Sequence, residues 1–151
     1  MAMQPRARVS MWIDGVPERV FDAFVDPQAL ECFWLSAASG KLEVGRTVHW
    51  SFLVPGAEVD TTAARLDRPH ALAWDWSDGS RVEIVLEPID GGTAVTVIND
   101  QLPQGGDGGV EAALNATEGF ALVVADLKTW IETGVSAGIT RGKAKLIELR
   151  G

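Results

Sequence analysis

Residues 6–24, RARVSMWIDGVPERVFDAF, change period part-way along, and that change decides the fold. Ala7, Val9, Met11 and Ile13 alternate with Arg8 and Ser10, which is the period of a half-buried strand. Gly15-Val16-Pro17 then stops the alternation. Pro17 and Glu18 suit the first turn of a helix, where a missing N–H costs nothing, and Val20, Phe21 and Phe24 share one face of that helix. Asp26-Pro27 ends it. A second short helix is predicted from Gln28 to about Cys32, with Leu30 inward, delivering Phe33-Trp34-Leu35 to a loop. Trp12 falls on the polar side of the first strand and is predicted on the outer face.

From Lys41 onward the period becomes two. Val48, Trp50, Phe52 and Val54 share a face, as do Leu72, Trp74 and Trp76, then Val82, Ile84 and Leu86, then Val95 and Val97. His49, Ser51, Asp75, Glu83, Glu87 and Thr96 point the other way. Pro55-Gly56, Asp67-Arg68-Pro69, Asp78-Gly79 and Asp90-Gly91-Gly92 are turn signals at the spacing of an antiparallel meander. The segment from Val59 to Leu66 has no clear inward face, so either Asp60 or Arg65 is free to enter the interior. After the flexible run Gln104–Gly109 the period becomes 3.6: Phe120, Val123, Val124, Leu127, Trp130 and Ile131 form one stripe, ended by Gly134. A helix from about Asn115 to Thr133 would span roughly 28 Å, enough to cross a sheet.

A strand, two short helices, a run of strands and a long amphipathic helix make an α+β layer. In that order, Gly15-Val16-Pro17-Glu18-Arg19-Val20-Phe21-Asp22-Ala23-Phe24, then Asp26-Pro27 and Phe33-Trp34, resembles the opening of the START-like (SRPBCC, Bet v 1-like) helix-grip superfamily. Lys41–Gly45, Gly91–Val97 and the segment Gly119-Phe120 to Leu127-Lys128 resemble in particular its branch of activators of the heat shock protein 90 ATPase. The resemblance runs from residue 6 to about 134. It implies a curved antiparallel sheet wrapped around the C-terminal helix, with an apolar cavity between them that in many relatives holds a hydrophobic molecule. Residues 1–135 are accordingly expected to form one domain. Residues 136–151 are expected to be a basic tail, with Arg141, Lys143, Lys145 and Arg150 against Glu148, able to fold back on an acidic body.

Composition narrows the functions. The 151 residues suit a single domain, and 46% hydrophobic with 23% charged residues suits a globular chain. A formal charge of −8 opposes a phosphate backbone, so no nucleic-acid partner is expected. Apolar runs are short and no export segment precedes the first strand, so membrane insertion is not expected and a cytoplasmic location is. The single Cys32, set beside Phe33 and Trp34, is expected to be a buried, inert thiol. His49 on the outer face and His70 in a turn lack ligand-spaced companions, so no metal and no cofactor are expected. Ser36 and Ser39 lack a nucleophile elbow, and Gly105–Gly109 lacks the Lys-Ser/Thr ending of a phosphate loop.

Six Trp and five Phe are many large rings for a chain of this size. Phe24, Trp34, Trp50, Phe52, Trp74, Trp76, Ile84, Val97, Phe120, Val124, Leu127 and Trp130 are the residues expected to line the cavity. The function expected is binding of a small hydrophobic molecule, lipid-like or polyketide-like, and no catalytic residue is assigned. Two alternatives are a co-chaperone-type activator of a heat shock protein ATPase and a cyclase-like enzyme using the same cavity, with Asp60 its least implausible base. The exposed Trp12 and the basic tail also lead us to expect a homodimer.

Overall fold

In the computed structural model, which describes residues 4–151, the period-two segments form strands and the 3.6-period segments helices, except that the strand through Trp50 ends at Phe52, where the chain bends before Pro55-Gly56 and leaves Val54 outside it. The order is β1 (Ala7–Ile13), α1 (Pro17–Val25), α2 (Pro27–Phe33), β2 (Leu35–Ala38), β3 (Thr47–Phe52), β4 (Glu58–Asp67), β5 (Ala71–Trp76), β6 (Arg81–Ile89), β7 (Gly92–Asp100), α3 (Val110–Thr133) and α4 (Ile139–Arg150). The strands make one curved antiparallel sheet in the order β1-β7-β6-β5-β4-β3-β2. Its concave face holds α3, the helix-grip arrangement expected from the sequence. One core joins Val20, Phe24 and Leu30 of the short helices, Trp50, Leu72, Trp74, Ile84 and Val97 of the sheet, and Val124 and Leu127 of α3.

Local chemistry explains the joints. Pro17 opens α1, and Asp26 ends α1 while its carboxylate accepts the Gln28 N–H at the start of α2. The turn between β6 and β7 puts Asp90 and Gly91 both at positive φ, the two-residue hairpin geometry that Asp-Gly favours. Gly92 follows because nothing larger fits: a Cβ there would collide with the Ile13 carbonyl oxygen and the Trp12 ring. Trp12 thus lies flat over Gly92, 40% exposed, with its indole N–H donating to the Ile89 carbonyl at 2.9 Å.

The structure departs from the sequence reading at four places. Leu35–Ala38, read as a loop, is the edge strand β2, too short and too rich in small residues to show alternation. The ambiguous strand is β4, whose register shifts between Ala63 and Arg65: Thr61 and Ala63 face inward before the bulge and Leu66 after it. Helix α3 begins at Val110, not Asn115, because Asp107 accepts the backbone N–H groups of Gly109 and Glu111 at 3.0 and 2.7 Å. Cys32 is exposed, contrary to expectation, because helical period sets Leu30 and Phe33 inward and turns Cys32 out. The basic segment, for its part, carries the helix α4, packed on α3.

Candidate functional site

The concave face is built from rings. Trp34, at the single-residue junction between α2 and β2, lies 5.3 Å from Trp50, 6.0 Å from Phe52, 6.1 Å from Trp74, 6.2 Å from Trp76 and 5.7 Å from Phe120, centroid to centroid. Trp76 and Phe120 stack nearly parallel, at 5.9 Å and 14°. Trp50 and Trp74 are fully buried, and their 5.1 Å T-shaped pair fills the middle of the interior. The space between sheet and helix is therefore packed at its centre and open at its mouth.

That mouth is a hollow of about 230 Å³ lined by Trp34, Phe52, Trp76, Asn99, Ala116, Gly119, Phe120 and Val123. A second hollow of about 130 Å³ adjoins it beneath α4 and shares Trp34, Phe52, Gly119 and Val123. Both are smaller than the roughly 300–1,000 Å³ of most ligand sites. Of the residues expected to line a cavity, Trp34, Phe52, Trp76 and Phe120 border this space. Phe24, Trp50, Trp74, Ile84, Val97, Val124 and Leu127 are buried in the core around it. Trp130 lies apart, half-buried against Phe33 at 5.9 Å with the Arg19 guanidinium over its ring.

Sequence reasoning missed Asn99, Ala116, Gly119 and Val123 as pocket walls. Gly119 carried a signal: glycine inside a helix costs about 1 kcal/mol relative to alanine, which asks for a local reason. No neighbouring atom demands the glycine here. A Cβ built on Gly119 meets nothing within 4 Å, and the residue borders both hollows.

One chemical feature distinguishes the layer of rings. The indole N–H groups of Trp50, Trp74 and Trp76 and the Thr61 hydroxyl are buried without a hydrogen-bond partner among the described residues. Each such group costs about 1–3 kcal/mol when left unmade.

The wall of the larger hollow is uncharged, while Lys143 borders the smaller one. Asp60, the one base weighed for the interior, is on the outer face, its carboxylate 2.9 Å from His49 Nδ1, while Glu58 lies 2.7 Å from His49 Nε2. The hydrogen bond to Asp60, then that to Glu58, raises the His49 pKa above its ordinary 6.5. Asp75 also faces outward, in a two-point pair with Arg81 at 2.7 and 2.9 Å that lowers its pKa. A wider depression of about 720 Å³ between α1 and β4 is open to solvent, and its wall mixes Phe21, Val25, Leu42 and Leu66 with the Asp22–Arg68 ion pair, Lys41 and Glu43. The hollow at the mouth has no carboxylate and no histidine in its wall. Among the described residues no cluster of His, Cys, Asp and Glu could hold a metal ion, and no helix is long and apolar enough to cross a membrane.

The sequence matches the model of the family described as Activator of Hsp90 ATPase homolog 1-like protein over residues 14–132. The chain belongs to this family. Solved structures agree in fold. The protein SSP2350 from Staphylococcus saprophyticus is 28% identical with a TM-score of 0.76, the match covering 87% of this chain and 94% of that one. The Aha1 dimer from Colwellia psychrerythraea is 20% identical with a TM-score of 0.75, covering 85% and 97%. DynU16, from the dynemicin biosynthetic locus, is 18% identical with a TM-score of 0.78; the match covers 89% of this chain and 49% of that longer one. No curated protein sequence matches the chain.

Proposed function

We propose that this domain binds a small, largely apolar molecule of one or two rings at the mouth bordered by Trp34, Phe52, Trp76, Phe120 and Val123. The observation that carries the reading is Gly119: a helix position that would be more stable with almost any side chain is left bare where the aromatic wall opens. Apolar burial, at about 25 cal/mol per Å², would supply the affinity. The test is Gly119→Leu, whose side chain would occupy the open space. Binding of the naphthalene dye prodan should fall at least about tenfold, whereas stability should rise by roughly 0.5–1 kcal/mol from helix propensity. Unchanged dye binding in a folded Gly119→Leu protein would remove this hollow as the site. Native mass spectrometry of the purified protein would show any ligand carried through purification.

Family membership supports a second reading, stimulation of an Hsp90-type ATPase through surface contacts. An ATPase assay with and without the protein decides it. The uncharged wall of the hollow gives no support to a cyclase-like role. Self-association is proposed as well, supported by the dimeric state of the Colwellia protein and by exposed Trp12, Val85 and Ile89 on one side of the sheet. Sedimentation at micromolar concentration should then give twice the 16.2 kDa chain mass.

A further inference from the structure

An indole N–H donates a hydrogen bond and accepts none. Three of the four unpartnered groups in the ring layer are indole N–H groups, so what they lack is an acceptor. They lie together: the rings of Trp50, Trp74 and Trp76 are 5.1–6.4 Å apart, and Thr61 is the cross-strand partner of Trp76. More than nine in ten buried polar groups in proteins are satisfied, so several orphans in one layer call for a cause. The T-shaped ring pairs let an N–H rest on a neighbouring π face, but such contacts are second-order and do not replace a true acceptor. Trp76 also belongs to the wall of the mouth.

Resting on the binding site proposed above, we infer that the ligand is a ring compound bearing an acceptor oxygen, a ketone or a similar carbonyl, recognised by the Trp76 indole N–H. The ring body lies against Phe120 and Phe52, and the oxygen takes the place of the missing acceptor. Because the N–H is covered, a covering ring has to turn to admit the oxygen. Trp34 is the ring that touches Trp50, Trp74, Trp76 and Phe120 together, and the adjoining hollow beneath α4 lies on its wall and gives it room. Specificity follows from the unpaired donor: a hydrocarbon of the same shape fills the hollow but leaves the N–H unsatisfied.

The matched probes are 1-tetralone and tetralin, which share a fused-ring skeleton and differ by one carbonyl. Each is titrated into protein labelled with ¹⁵N at the tryptophan indoles. Tetralone is expected to bind about tenfold more tightly than tetralin and to move the Trp76 indole proton downfield, while Trp12 and Trp130 stay in place. In Trp76→Phe, which keeps an aromatic wall, the preference for tetralone over tetralin should disappear. Equal affinities in the native chain, with no downfield indole shift, would overturn the inference and leave the hydrophobic site standing. Binding of neither probe would overturn the site and the inference with it.

Discussion

His49 sits on the outer face between two carboxylates, one on each ring nitrogen, an arrangement that favours the charged imidazolium. Its raised pKa means the contribution to stability is fully present below the ordinary value of 6.5 and is lost as pH rises through the folded-state value. Followed by NMR, the His49 ring should titrate above 6.5 in the native protein. Asp60→Asn should bring the midpoint back toward 6.5, and Glu58→Gln should do so to a smaller degree. No change in Asp60→Asn would mean the pair does not persist in solution. At this scale the sequence was legible for orientation and silent on partners. Alternation alone placed His49 and Asp75 outside, but only the register of β3 on β4 puts Asp60 opposite His49. Cys32 misled because Phe33 and Trp34 follow it in the chain while its own helical face turns outward.

Helix α4 illustrates how an element can be held by something other than its most visible property. The segment is basic and the body acidic, yet its ion pair to the body is Lys143 with Glu118, a half-exposed contact worth at most about 1 kcal/mol. What fixes the helix is Asp126, fully buried on α3. Its carboxylate accepts the Thr140 N–H at 3.0 Å and the Ser136 hydroxyl, at the turn that starts α4. Acidic groups belong at helix N-termini, and this one reaches there from another helix. Asp126→Ala should cost about 2–3 kcal/mol in urea unfolding of the full chain, since it leaves buried donors without their acceptor. In a chain ending at Val135 the same substitution should cost less than about 0.5 kcal/mol, as at an exposed site. Equal costs in the two chains would show that Asp126 acts within α3 alone. Long elements were legible because their periods are clean. The bulge in β4 was not, because a single inserted residue inverts the alternation on which the reading depends.

For the molecule as a whole, the sequence yielded the sheet, the gripped helix and the family resemblance, because these rest on the order of elements. Whether the interior was open or filled stayed illegible, since that depends on how the large rings interlock in three dimensions. They interlock closely enough to empty the centre of free volume and leave a mouth, and the walls of that mouth include small residues, Ala116 and Gly119, that no apolar pattern marks. The same interlocking has an optical consequence. Trp34, Trp50, Trp74 and Trp76 hold their rings between 5.1 and 6.4 Å apart at fixed tilts, and the chain contains no Tyr. Electronic transitions of indoles this close are shared, so the far-ultraviolet circular dichroism should carry an exciton couplet superimposed on the backbone signal. Helix content deduced from that spectrum would be wrong for a correctly folded protein, and Trp50→Phe should shrink the couplet while the amide bands remain.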